Sequence, residues 1–207
     1  INHKKNKLRL QRSGLLTKYI SENTNHKVVW WTSLFNHFTK KFEFENYTEI
    51  DYNSNLKIKC IKGFGYKKNI SLQRVLDHYM LKLKIKKKIK NQILPDIIIS
   101  SYPTLGICEE TLNFAKENNI PFVIDYRDMW PEVFYDLFPR SLRIIPKIIF
   151  YPMSQKLNRV LKNSDAIVSV TKNILDFALA RTGGIKNDLN DFFPLGYKRL
   201  EISANEI

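Results

Sequence analysis

Between residues 96 and 194, short uninterrupted apolar runs alternate with helix-length segments, and this rhythm constrains the fold more than any other feature. "PDIIIS", "IPFVID" and "DAIVSV" are too short for helices and rich in β-branched residues. Strands apolar on both faces need cover on both, the situation of a parallel sheet between helices. "LGICEETLNFAKENN" and "TKNILDFALARTGG" supply helices, the second closed by Gly183. "RSLRIIPKIIFYPMSQKLNRVLKN" is helical with interruptions at Pro146 and Pro152. The expectation is α/β: a single doubly wound, Rossmann-like domain over residues 1–207 with a mainly parallel sheet. At 43% hydrophobic residues, the chain has material for one sizeable core.

The first half is less regular. "RSGLLTKY" reads as a helix, and "KVVWWTS" as an apolar strand whose Trp30 and Trp31 face opposite sides. "LFNHFTKKFEFENYTEIDYN" is too polar and aromatic for a simple connection. "LKIKCIKG" alternates apolar residues with Lys, which predicts a strand with one wet face near a sheet edge. In "SLQRVLDHYMLKLKIKKKIKNQI", Leu81, Ile85, Ile89 and Ile93 recur at four-residue steps, an amphipathic helix with a basic outer face.

The charge is one-sided. Residues 1–90 hold 21 Lys and Arg against 6 Asp and Glu, whereas residues 91–207 hold 13 against 14. Such a field suits an anionic partner: lipid, nucleic acid or a pyrophosphate-bearing substrate. Lys82, Lys84, Lys86, Lys87, Lys88 and Lys90 fall within nine positions. They suggest peripheral attachment to an anionic membrane surface, with a solvated helix face as the competing account. No run approaches the about 18 apolar residues of a membrane span. The start "INHKKNKLRLQRSG" is polar and lacks the apolar region of a secretory leader. Cys60 and Cys108 read as reduced core residues of a cytoplasmic protein. His3, His26, His37 and His78 lack ligand spacing, so no metal is expected.

In sheets of this kind, ligands bind outside the carboxyl ends of the strands. That rule selects Thr32, Ser33 and His37 after "VVWW", and Tyr102, Pro103 and Thr104 after "DIIIS". It also selects Arg127, Asp128 and Trp130 after "FVID", and Thr171 and Lys172 after "AIVSV". The densest stretch is "PFVIDYRDMWPEVF", where an apolar strand ends in Asp125, Arg127 and Asp128. Buried charge is costly unless paired or used. One reading is a loop-fixing pair of Arg127 with Asp125 or Asp128. The other is a carboxylate that accepts a sugar hydroxyl beside a guanidinium that stabilises a diphosphate. Arg12, Ser13 and Gly14 open the first helix, whose N-terminus suits an anion.

Five pieces in order carry a resemblance: "RSGLLTKYISENTNHKVVWWTSLFNHFTKKF", "GYKKNISLQRVLDHYM", "PDIIISSYPT", "PFVIDYRDMWPEVF" and "FFPLGY". Together they resemble the N-terminal, acceptor-side half of family 4 glycosyltransferases with the GT-B fold, in the bacterial surface-polysaccharide branch. The resemblance implies sugar transfer from a nucleotide-sugar co-substrate to a saccharide or lipid-linked acceptor, with retention at the anomeric carbon and no metal or other cofactor. It implies catalytic roles for Arg127 and Asp128, where family members carry a His-Asp or similar pair. Arg127 stays protonated, which suits an electrostatic role better than a general base. It further implies substrate contacts from Arg12, Ser13, Gly14, Ser33, His37, Tyr102, Thr104, Asp125 and Thr171.

Two departures from the family pattern matter. The family places a strand before the first helix, so a strand is expected to be missing beside "VVWW". The family also carries a second, nucleotide-sugar domain with a Glu-x7-Glu signature, which this sequence does not contain. Two alternatives remain: a basic, non-catalytic nucleic-acid-binding α/β domain, and half of a GT-B-like sugar-nucleotide epimerase. No nucleic-acid-binding signature accompanies the Lys run, so nucleic acid is the weaker partner.

Overall fold

The computed structural model describes residues 12–184 and 187–195. His3, the polar start and the end of "FFPLGY" lie outside them. The elements are α1 (Arg12–Asn23), β1 (Val28–Ser33), β2 (Phe35–Asn36), β3 (Lys41–Phe42), β4 (Thr48–Asp51) and β5 (Leu56–Ile61). There follow α2 (Leu72–Ile89), β6 (Ile98–Tyr102), α3 (Leu105–Glu117) and β7 (Phe122–Tyr126). Two short 3-10 turns (Glu132–Leu137 and Arg140–Leu142) lead to α4 (Ile144–Ile149), α5 (Tyr151–Lys162), β8 (Ala166–Ser169), α6 (Lys172–Arg181) and β9 (Asp191–Phe192).

Local chemistry accounts for the helix starts. Ser71 accepts a hydrogen bond from the Arg74 amide and opens α2; Thr171 accepts from Ile174 and opens α6. Each occupies an otherwise orphaned donor of the first turn. Pro152 falls in the first turn of α5, where its missing N–H costs nothing.

The apolar runs of the second half form a four-stranded sheet, β6-β7-β8-β9, parallel throughout. Residues alternate across it. Tyr102, Phe122, Ile124, Tyr126 and Ile167 enter a core closed by residues of α3, α5 and α6 such as Leu112, Leu157 and Leu175. Each such fully buried Leu or Ile contributes about 2 kcal/mol. The opposite side of β6 and β7 carries Ile99, Ser101, Val123 and Asp125.

The first half forms a separate mixed sheet, β1-β5-β4, in which β1 runs parallel and β4 antiparallel to β5. A single, mainly parallel sheet short of one strand beside "VVWW" was the expectation. The described residues instead divide β1-β5-β4 from β6-β7-β8-β9, and β1 and β6 each have a single ladder neighbour among them. Helix α1 packs on β1 and β5, while its first residues reach β6, β7 and β8. Trp30 packs into the Leu34–Ile58 cluster and Trp31 against Ile61 and Leu81, on opposite sides as alternation requires.

Two local expectations are corrected. Strand β5 is central, not at an edge, and Lys59 is only 8% exposed. The antiparallel β4 sets Glu49 opposite Lys59, at 3.6 Å, and Trp31 lies under the ammonium at 5.3 Å. The four-residue stripe of α2 also ends early. Leu81 and Ile85 are buried and Ile89 partly so, but the helix stops at Ile89 and leaves Ile93 96% exposed. Among the described residues, no helix is long and apolar enough to cross a membrane.

Candidate functional site

The carboxyl ends of β6, β7 and β8 converge on the first turn of α1, and their polar groups meet there. Parallel register sets Ser101 beside Asp125, and Tyr126 beside Ser169. Asp125 is buried, and its Oδ2 lies 2.9 Å from Arg127 Nε and 3.4 Å from Arg12 Nε. The Arg127 contact is an ion pair without hydrogen-bond alignment, and Oδ1 of Asp125 is buried without a hydrogen-bond partner. Arg127 Nη2 donates to Ser13 Oγ at 2.7 Å and also to Ser101 Oγ, and the two hydroxyls are 3.3 Å apart. Arg12 donates to the carbonyls of Phe193, at 2.5 Å, and Ser169, at 3.4 Å.

Two guanidinium groups therefore share one carboxylate beneath a helix N-terminus. The triad of Arg12, Asp125 and Arg127 carries an excess positive charge, and the helix dipole adds to it. Ser13 and Ser101 add hydroxyls that donate or accept. This is chemistry for an anionic oxygen cluster such as a phosphate. The Arg127–Asp125 pair weighed in the sequence is present, with Arg12 as a third member. Asp128, half-buried, follows directly.

The loop after Asp128 is held from three sides. Arg74 of α2 lies over Trp130 at 4.4 Å and over Tyr66 at 5.5 Å. Tyr102 donates to the Trp130 carbonyl at 2.9 Å. Arg181 pairs with Glu132 and donates to Ser154 Oγ at 2.5 Å. The Trp130–Pro131 peptide is cis.

Other sequence candidates lie elsewhere. Tyr102 is 1% exposed and stacks on Tyr126 at 4.9 Å, so it faces the core and shapes the loop. Burial pushes both phenols up in pKa and keeps them protonated. Ser33 accepts from the Phe35 amide at 3.0 Å. His37, half-buried, has its ring 3.8 Å from that of Phe38. Gly14 is buried in α1, Thr104 precedes α3, and exposed Thr171 caps α6. Of the nine substrate-contact candidates, Ser13 and Asp125 meet Arg127 directly, and Arg12 joins it through Asp125.

The Lys run of α2 is largely engaged within the protein. Lys82 meets Glu109 at 2.7 Å and Glu110 at 3.2 Å; Lys86 meets Glu110 at 3.4 Å. Lys84 donates to the Lys62 carbonyl, and Lys88 lies over the Tyr47 ring at 3.7 Å. Lys87 and Lys90 point outward, exposed. The Glu109 hydrogen bond raises the Lys82 pKa. Burial pulls Glu109 upward, but Lys82, Lys156 and Arg159 outweigh it and leave the carboxyl below its ordinary value. Cys60 and Cys108 are free and buried, and burial pushes both thiols up to about 11. That is a poor state for a nucleophile.

Ser101, Ser169 and the Phe193 carbonyl were missed in the sequence. A strand-end serine has no signature of its own; only the register that pairs Ser101 with Asp125 reveals it. Comparison with family models finds no match, and no curated protein matches the chain either.

Proposed function

We propose that this chain is the acceptor-side, N-terminal half of a GT-B glycosyltransferase like those of family 4. In this reading it serves transfer of a sugar from a nucleotide-sugar donor to a saccharide or lipid-linked acceptor in surface-polysaccharide synthesis, on the cytoplasmic side of the membrane. The observation that carries it is the Arg12–Asp125–Arg127 cluster, with Ser13 and Ser101, at the carboxyl ends of β6 to β8. Binding there is what an α/β crevice offers. The α/β architecture supports the reading: β1-β5 and β6-β9 become two flanks of one Rossmann-like sheet, with β1 and β6 each unpaired on one side among the described residues.

Each group then has a role. Arg127 and Arg12 stabilise negative charge on the departing diphosphate, and Asp125 holds both guanidinium groups in place. Asp128 accepts a hydrogen bond from a sugar hydroxyl, and Ser13 and Ser101 orient phosphate oxygens. Removing one such preorganised donor costs on the order of 10²–10³ in turnover. The Arg127→Ala variant is expected to lose about that much sugar transfer in the complete enzyme.

Saturation-transfer NMR tests the reading at the level of binding. The probes are UDP-, GDP- and dTDP-sugars, their parent nucleosides, and a single-stranded DNA oligonucleotide. Signals from sugar-diphosphate moieties, absent for nucleosides, support it. Salt-sensitive binding of the oligonucleotide without any sugar-diphosphate signal replaces it with the nucleic-acid alternative.

A further inference from the structure

The segment leading into α5 exposes more apolar surface than a solvated face has use for. Leu142, Ile144, Ile145, Ile148, Ile149 and Tyr151 stand between 44% and 67% exposed. Single exposed leucines are ordinary, but six large apolar side chains in ten consecutive positions make a patch, and patches of this kind mark contact surfaces. Within α4, Pro146 is the buried residue. The isoleucines at its first two and last two positions face outward.

The charges along this segment are cationic, with Asp136 just ahead of it paired to Arg143. From Pro139 to Tyr151 the chain carries Arg140, Arg143 and Lys147 and no acidic residue. Arg143 is used internally, 2.9 Å from Asp136, whereas Arg140 and Lys147 are exposed. An apolar centre whose rim is cationic apart from the Arg143–Asp136 pair complements an anionic bilayer, with isoleucine in the acyl boundary and the cations at lipid phosphates.

The patch is also held firmly. Phe150 stacks on Phe134 at 5.2 Å, and Phe134 meets Trp130 edge-on at 4.8 Å. It therefore hangs on the same segment that carries Arg127. We infer that α4 and its flanks seat this protein on an anionic bilayer, in the interface plane, with Ile144, Ile145, Ile148 and Ile149 as the inserting side chains. This surface is distinct from the Lys run of α2, and the inference stands apart from the sugar-transfer reading.

The test is co-sedimentation of the 207-residue chain with vesicles of phosphatidylcholine alone and of phosphatidylcholine with phosphatidylglycerol. The wild type is expected to bind the anionic vesicles selectively. Ile148→Ser with Ile149→Ser, both solvent-facing changes, is expected to weaken binding on the order of tenfold per side chain. Arg140→Gln with Lys147→Gln is expected to weaken it about fivefold per cation. Unchanged circular dichroism of the variants separates these losses from unfolding. The inference is overturned by no vesicle binding, by equal binding to neutral vesicles, or by undiminished binding of the double Ile variant. Loss confined to Lys86→Gln, Lys87→Gln, Lys88→Gln moves the contact to α2 and overturns it as well. A wild-type dimer that the Ile variant converts to monomer, without lipid binding by either, assigns the face to a second copy instead.

Discussion

Arg127 donates to the Ser13 hydroxyl at 2.7 Å, joining the end of β7 to the first turn of α1 across 114 residues of chain. Asp125 makes that contact stable, because it pairs with Arg127 and Arg12 together. The docking of α1 and the geometry of the arginine cluster thus depend on one buried carboxylate.

Replacing Asp125 by Asn is expected to destabilise the fold by about 3 kcal/mol, since two partly buried guanidinium groups lose their common partner. Adding Arg12→Gln should restore part of that loss. Urea unfolding of the single and double variants measures both, and strictly additive losses would show that the groups are uncoupled.

Gly63 is a position of close approach. A Cβ there would stand 2.0 Å from Oδ1 of Asp77, which is buried and accepts the Gly65 amide at 2.8 Å. The Gly63→Ala variant is expected to lose about 2 kcal/mol of stability, because Asp77 must leave its place. Thermal unfolding reads the effect; a Tm within a degree or so of wild type, on the roughly 2–8 °C scale of such changes, would contradict it.

Burial and the nearby Arg74 charge lower the His78 pKa from 6.5 to about 4. The folded chain holds His78 neutral where the unfolded chain would protonate it. Its contribution is therefore fully present above pH 6.5, declines as pH falls, and is gone below about pH 4. Between pH 7 and pH 5 this amounts to roughly 2 kcal/mol of lost stability. Unfolding of His78→Gln across that range should show a slope shallower by that amount, and an unchanged slope would rule the histidine out.

Strand β1 has a ladder on one side only among the described residues, and Val29 on it is half exposed. Unprotected parallel edges promote association. Val29→Lys is expected to reduce self-association in sedimentation velocity at high protein concentration. Equal association of both proteins would show that this edge is covered.

Much of this was readable in the sequence, and the failures have physical causes. Continuous apolar runs announced β6, β7 and β8, because burial on both faces leaves no other composition. The charged residues after "FVID" announced the ion-paired cluster, because charge at the end of a buried strand must be paired. Lys59 was misread, since alternation cannot say that β4 will bring Glu49 opposite it. Ser101 went unnoticed, since only register places it beside Asp125. The isoleucines of α4 look like interior residues in the sequence, and only their exposure reveals a surface.

The claim that Arg12, Ser13, Ser101 and Arg127 form an anion site is tested most directly by amide chemical-shift mapping of the ¹⁵N-labelled chain titrated with pyrophosphate. The expected result is saturable shifts at Ser13, Gly14, Ser101 and Arg127, abolished in Arg127→Gln while the rest of the spectrum is retained. Shifts confined to the Lys-rich face of α2, or none at saturating pyrophosphate, would contradict it.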